Sequence, residues 1–218
     1  LERDGRRVPA LVQANKTGFL FALDRETGAP LWPVEERPAP PSDVPGEAAS
    51  PTQPWPTRPA PLIPPPAAAD AIDPARPWGP DAEHVAACAD MARGYRYDGF
   101  FTPPSLNGSV LYPGNGAGTN WGGTAYDPER GLLIVPTVRY ATLVRLVPRE
   151  GLDAARDRAA AADLELGLMR GAPYVMLRET WITDDAVLCT PPPWGRITAV
   201  DLRTGDVRWE VPWGAGPP

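Results

Sequence analysis

The sequence has one histidine, His84, and no CxxC pair between its two cysteines, so the usual donor sets for a zinc site are missing. Positive charge is scarce. Its 21 Lys and Arg stand against 27 Asp and Glu, for a net charge of −6, and no basic cluster stands out. A nucleic-acid footprint is therefore not expected. Long apolar runs are missing too, and stretches such as Leu132–Val135 are far too short to cross a bilayer. The opening Leu1-Glu2-Arg3-Asp4-Gly5-Arg6-Arg7 is no signal peptide. The first residue is not Met, and Gly214-Ala215-Gly216-Pro217-Pro218 carries no stop signal. The expectation is a segment of a longer protein, with any export or anchoring signal upstream. Cys88 and Cys189 leave two readings open, a pair of buried thiols or one disulfide in an oxidising compartment.

What is present in excess is turn-forming residues. Thirty-one prolines and 21 glycines are too many for a helical protein and suit short strands joined by irregular loops. Val8–Gln13 and Gly18–Asp24 flank Asn15-Lys16-Thr17-Gly18 and read as a β-hairpin. Ser109–Pro113 reads as a second hairpin, and Thr124–Asp127 pairs with Leu132–Thr137 around Pro128-Glu129-Arg130-Gly131. Pro173–Leu177, Gly195–Asp201 and Asp206–Pro212 are further strands. Asp81–Arg93 is a short helix candidate, and the Ala-rich stretch within 151–170 is the strongest one. Residues 33–80 are rich in proline, including Pro64-Pro65-Pro66, and have no apolar periodicity. A solvated linker would not need Trp55 and Trp78, so a partly ordered excursion over the domain's face is expected.

One pattern occurs twice. Ala-x-Asp-x-x-Thr-Gly-x-x-x-Trp runs as Ala22, Asp24, Thr27, Gly28, Trp32 and again as Ala199, Asp201, Thr204, Gly205, Trp209. A given window matches by chance on the order of one time in a million at ordinary composition. Two copies therefore mean repeated structure. Asp accepts hydrogen bonds from turn amides, Gly supplies positive φ, and Ala leaves room on the strand before the turn. The Trp brings a flat apolar face, and its N–H needs a partner. A Trp docked between neighbouring sheets ties blade to blade in a radial array, so the fold expected is an all-β partial propeller. The motif speaks for architecture and not for chemistry.

The repeat resembles the tryptophan-docking motif of the eight-bladed quinoprotein dehydrogenases, which use pyrroloquinoline quinone (PQQ). The glucose/quinate branch is the nearest, through Gln13-Ala14-Asn15-Lys16-Thr17-Gly18, Ser50-Pro51-Thr52-Gln53-Pro54, Phe101-Thr102-Pro103-Pro104-Ser105, Pro113-Gly114-Asn115, Asn120-Trp121-Gly122-Gly123 and Cys189-Thr190-Pro191-Pro192-Pro193-Trp194-Gly195. No single segment is decisive, but their order and spacing are specific. The resemblance implies a single partial eight-bladed β-propeller domain over 1–218, with 34–98 as the excursion and 151–170 as a helical insertion.

The same resemblance implies roles. Lys16 reaches the ortho-quinone edge of PQQ as a catalytic and cofactor-binding residue. Asn120 gives an amide hydrogen bond, and Trp121 an aromatic wall. An ammonium beside a quinone oxygen stabilises the charge that develops on reduction. Cys88 and Cys189 fall in segments that match cysteine-bearing stretches, which favours their pairing. The activity implied is oxidation of a sugar or polyol hydroxyl, with ubiquinone as acceptor, on the periplasmic side of the bacterial inner membrane. The membrane is reached through an N-terminal segment outside this chain. The general base and the ligands of Ca²⁺ or Mg²⁺ also belong to blades outside it, so no metal ligand is assigned here and this segment alone is expected to be inactive. Val135-Pro136-Thr137-Val138 lacks an Asn often found there, which puts one pocket contact in doubt. The competing expectation is a non-catalytic periplasmic propeller that binds proteins, in which Lys16 and Asn120-Trp121 are incidental.

Overall fold

Short apolar runs joined by Asp- and Gly-bearing turns fold as antiparallel ladders. The computed structural model describes residues 1–3, 5–64 and 72–214; Pro65, Pro66 and the rest of 65–71, and the tail 215–218, lie outside them. In chain order the strands begin with β1 (Glu2–Arg3), β2 (Arg6–Arg7), β3 (Ala10–Ala14), β4 (Leu20–Asp24), β5 (Val34–Pro38) and β6 (Thr52–Pro56). Helix α1 (Ala82–Met91) follows, then β7 (Ser109–Leu111), β8 (Ala125–Asp127), β9 (Leu132–Val138) and β10 (Thr142–Pro148). Helix α2 (Leu152–Ala161), β11 (Glu165–Gly167), β12 (Tyr174–Thr180), β13 (Gly195–Asp201) and β14 (Asp206–Pro212) complete the order.

Two four-stranded antiparallel sheets carry the architecture, in the orders β11-β12-β10-β7 and β14-β13-β9-β8. Three two-stranded ribbons, β1-β2, β3-β4 and β5-β6, complete the strand pairing among the described residues. β9 shows the period of two that a half-buried strand requires: Leu133, Val135 and Thr137 are buried while their neighbours are less so. The chain passes between the sheets three times, through 112–124, 139–141 and 181–194. Buried Arg139 ties the last two together, its N–H donating to the Trp194 carbonyl at 2.7 Å and its Nε to the Pro193 carbonyl at 3.0 Å.

Both copies of the repeat form the expected turn. Asp24 Oδ1 accepts from the N–H groups of Glu26 at 2.8 Å and Thr27 at 3.0 Å, and Asp201 Oδ1 from that of Arg203 at 2.9 Å. Gly28 and Gly205 have φ of +76° and +77°. Trp32 is buried and docks on the other copy: a Cβ at Gly205 would lie 3.2 Å from its Cε2 and Nε1. Two expectations about the motif need correction. The Trp32 N–H has no hydrogen-bond partner among the described residues, because the face it enters is aliphatic, made by Leu20, Ala22, Leu62, Leu133, Val135 and Val200. Trp209 is not docked: it is 42% exposed on β14, whose residues all face solvent.

A third, degenerate copy is present. Ala125, Asp127 and Gly131 keep the spacing, with Arg130 for Thr and Val135 for Trp. Asp127 Oδ1 accepts from the N–H groups of Glu129 and Arg130 at 3.0 Å each, Gly131 has φ +66°, and Val135 is fully buried in the cluster that holds Trp32.

These turns fix a pH dependence. The Glu26 N–H holds Asp24 below the usual carboxylate range, the Arg130 N–H does so for Asp127, and the Arg203 guanidinium for Asp201. A depressed folded-state pKa contributes stability that is present above the unfolded value, about 3.9, and lost as pH falls through the folded one. The melting temperature is expected to stay level from pH 7 to 5 and to drop below about pH 4. In Asp201→Asn part of that acid-side drop should disappear, and an unchanged acid limb in that variant would contradict the assignment.

Other expectations are revised in detail. Ser109–Pro113 is no hairpin; β7 is a lone strand that pairs with β10, because Tyr112 and Pro113 lead directly into the Gly-rich loop. The insertion at 151–170 is helical only over α2, after a 3₁₀ turn at Arg149–Gly151. Its remainder returns as β11 to pair with β12. Ala155 and Ala159, one turn apart, seat α2 on Val175 and Leu177. The Pro-rich excursion carries more structure than its composition suggests, with the β5-β6 ribbon and α1 inside it.

Cys88 and Cys189 form a disulfide with a Cα–Cα distance of 5.6 Å, joining α1 to the connection that follows β12. The Trp181 indole N–H donates to the Cys88 carbonyl at 3.0 Å, and the bridge lies in the main core with Phe19, Phe100, Leu143 and Trp181. In the chain-entropy account, a cross-link across a loop of about 100 residues stabilises by up to about 4.7 kcal/mol. The double variant Cys88→Ala/Cys189→Ala is expected to lose several kcal/mol in urea unfolding, and a loss under about 1 kcal/mol would show that the bridge is incidental.

Candidate functional site

Lys16 sits in the hairpin turn between β3 and β4. Asn15 builds that turn, its Oδ1 accepting from the Thr17 N–H at 3.1 Å, the Thr17 hydroxyl at 2.6 Å and the Phe19 N–H at 3.1 Å. Gly18 has φ +74°, and a Cβ there would lie 2.7 Å from Ile63, so both conformation and contact demand glycine. The Leu62 N–H donates to the Gly18 carbonyl at 2.9 Å, which anchors the turn to the end of the Pro-rich excursion.

The second half of the site is the loop Gly114-Asn115-Gly116-Ala117-Gly118-Thr119-Asn120-Trp121. It is laid between the Lys16 turn and the end of β9. The Thr119 N–H donates to the Asn15 carbonyl at 3.2 Å, while Gly118 and Val138 exchange N–H···O bonds of 2.8 and 3.0 Å. A Cβ on Gly118 would fall 2.0 Å from the Lys16 carbonyl oxygen. The two segments therefore touch backbone to backbone. The Lys16 ammonium crosses this seam and donates to the carbonyl of Asn115.

Of the sequence-expected residues, the fold thus brings Lys16 and the loop that holds Asn120 and Trp121 together. Asn120 is partly spent on its own loop: Nδ2 donates to the Gly116 carbonyl at 3.1 Å, and Oδ1 accepts from the Trp121 N–H at 2.9 Å. Trp121 is 96% exposed, which excludes core packing and also means that it walls no closed pocket within this chain. Asn115 joins the site with no mark in the sequence. It touches Lys16 through its main-chain carbonyl, and a main-chain contact leaves no signature in residue type.

The site fits a planar, anionic ortho-quinone. An ammonium has three donors, and among the described residues Nζ spends one, on Asn115, so two remain for an outside acceptor. The bare Trp121 indole offers a stacking face. Lys16 is the sequence's single lysine. The donor chemistry for a metal is poorer. Among the described residues the one cluster of three candidate donors is His84, Cys88 and Cys189, and both sulfurs are committed to the disulfide.

Two linked antiparallel sheets, a docked tryptophan and a turn presenting one lysine define a propeller-type domain. By comparison with known families, residues 1–217 match the PQQ glucose/ethanol/alcohol dehydrogenase β-propeller domain, and the chain belongs to that family. It is 38% identical over 224 residues to the glycerol dehydrogenase large subunit of Gluconobacter thailandicus, covering 97% of this chain and 30% of that protein. It is 32% identical over 216 residues to the quinate/shikimate dehydrogenase (quinone) of Acinetobacter baylyi, covering 97% and 26%. The quinoprotein glucose dehydrogenase of Gluconobacter oxydans is 34% identical over 222 residues, covering 96% and 26%. The chain thus spans between a quarter and a third of the length of these relatives.

Proposed function

We propose that this chain is the Lys16-bearing part of a PQQ-dependent dehydrogenase that oxidises a sugar or polyol CH–OH group. The observation that carries this reading is the seam between the Lys16 turn and the Gly114–Trp121 loop, where one ammonium keeps two donors for an external acceptor. When bound, PQQ supplies the two-electron acceptor for alcohol oxidation. Lys16 holds a positive charge at the quinone edge, and Trp121 offers its indole face to the ring system. Asn120 keeps the Trp121 backbone in place and has one N–H left to donate. Its second role as a cofactor ligand is part of this proposal.

The same reading makes the two four-stranded sheets blades of an eight-bladed ring. It assigns the general base and the Ca²⁺ or Mg²⁺ ligands to blades outside this chain. Glycerol, quinate/shikimate and glucose appear in the names of the relatives. A hydroxyl of this class is the proposed substrate, and ubiquinone the proposed electron acceptor. We place the protein on the periplasmic side of the bacterial inner membrane. The Cys88–Cys189 disulfide supports an oxidising compartment. Among the described residues no helix is long and apolar enough to cross a membrane, so the anchor in this proposal lies in another segment.

Reconstitution tests the reading. Full-length apoprotein mixed with PQQ and Ca²⁺ or Mg²⁺, then passed through a desalting column, should retain about one PQQ per protein by absorbance. Full-length protein that keeps no PQQ under any metal condition would instead support a protein-binding scaffold, which makes no use of Lys16.

A further inference from the structure

An exposed lysine on a flexible four-carbon stem does not hold a fixed position by itself. Here its head group is caught by a carbonyl 99 residues away, and that carbonyl belongs to a residue clamped from the other side. Resting on the assignment of Lys16 to the quinone edge, we propose that Asn115 and Thr142 are positioning residues for its ammonium. Asn115 accepts one donor through its main-chain carbonyl, and Thr142 fixes Asn115 by donating its hydroxyl to Oδ1.

The geometry is specific. The Thr142 hydroxyl lies 3.1 Å from Asn115 Oδ1, and Thr142 is 1% exposed. Its backbone is set in β10 between Leu111 and Thr180, so this anchor belongs to the sheet and not to the loop. The peptides on both sides of Asn115 are seated on the same strand connection. The Gly114 N–H donates to the Tyr140 carbonyl at 2.7 Å, and a Cβ on Gly114 would lie 2.3 Å from the Thr142 hydroxyl. A Cβ on Gly116 would lie 2.0 Å from the Tyr140 hydroxyl. Only glycines allow the loop to lie this close, and between them Asn115 has little freedom to turn its carbonyl away. A chain of contacts thus runs from the sheet through Thr142 and Asn115 to the ammonium. One donor is held, and the other two keep a constant direction for the acceptor. Positional errors of about 1 Å at a reacting centre cost on the order of a hundredfold, so such a tether matters to rate more than to substrate binding.

Thr142→Val in the full-length holoenzyme removes the hydroxyl and keeps the shape. The expected result is a kcat lower by about tenfold with the KM for the alcohol within about twofold, and full recovery by Thr142→Ser. In the apoprotein, peptide-resolved acetylation of Lys16 by acetic anhydride should run about threefold faster in Thr142→Val than in the wild type, because the amine is no longer held. If Thr142→Val melts early, Asn115→Ala, at an exposed position of the loop, carries the same test and should give the same split. Wild-type kcat and wild-type acetylation in both variants, with Lys16→Met inactive, overturns the positioning role and leaves Lys16 in place. An active Lys16→Met overturns the assignment of Lys16 and the tether with it.

Discussion

Gly118→Ala is expected to lower the turnover of the full-length enzyme by about a hundredfold or more at saturating PQQ and substrate. The reason is local and steric. The added Cβ would meet three main-chain atoms of Lys16: the carbonyl oxygen at 2.0 Å, its carbon at 2.4 Å and Cα at 2.5 Å. None of these is the end of a flexible side chain that could turn aside. The residue also has φ +75°, which alanine adopts only with strain. The Lys16 turn or the Gly-rich loop must therefore move apart, and with them the ammonium and its Asn115 partner. The melting temperature is expected to fall as well, because Ala117 and Thr119 beside the seam are buried, so turnover is compared well below it. Acetylation of Lys16 should rise as the tether opens. Wild-type turnover in this variant would show that the seam does not set the position of Lys16.

The second large effect is that of the ammonium itself. Lys16→Met keeps a linear apolar stem of similar length and removes the charge and all three donors. A preorganised donor aimed at developing charge is worth about 10²–10³ in rate, and kcat is expected to fall by that amount. The Lys16 side chain is exposed, and its one bond among the described residues is made at the surface, so stability should hardly change. Arginine is not expected to rescue: its planar fork presents donors in another geometry and cannot replace a compact ammonium over Asn115. A kcat above half that of the wild type in Lys16→Met would remove the lysine from the mechanism.

How much of this could be read from the sequence depended on which atoms made the contact. Asp24, Gly28, Asp201 and Gly205 were legible because a turn that needs a side-chain acceptor and positive φ admits few residue types. The third copy at Ala125–Val135 is hidden in the sequence because Trp is replaced by Val, and the aliphatic side chain fills the same buried layer with a different shape. What it keeps is the turn spacing Ala-x-Asp-x-x-x-Gly. The docking of Trp32 on Gly205 was legible as a kind of contact, while the exposure of Trp209 was not, since motif identity does not say what lies opposite. At the site, the resemblance singles out Lys16 and Asn120-Trp121, and the fold brings their two segments together. The solvent exposure of Trp121 and the bonds that Asn120 spends within its own loop were not. Asn115 and Thr142 were illegible for a plainer reason. One acts through its peptide carbonyl, and the other lies across a strand pairing that sequence spacing does not reveal.

The claim on which the rest depends is that Lys16 faces the cofactor, and protection from chemical modification tests it most directly. Full-length apoprotein is acetylated under limiting reagent, with and without saturating PQQ and its divalent metal, and the peptide that contains Lys16 is quantified by mass spectrometry. PQQ is expected to slow acetylation of Lys16 by tenfold or more while leaving lysines of other segments unaffected. An acetylation rate at Lys16 that is the same with and without bound PQQ would contradict the account.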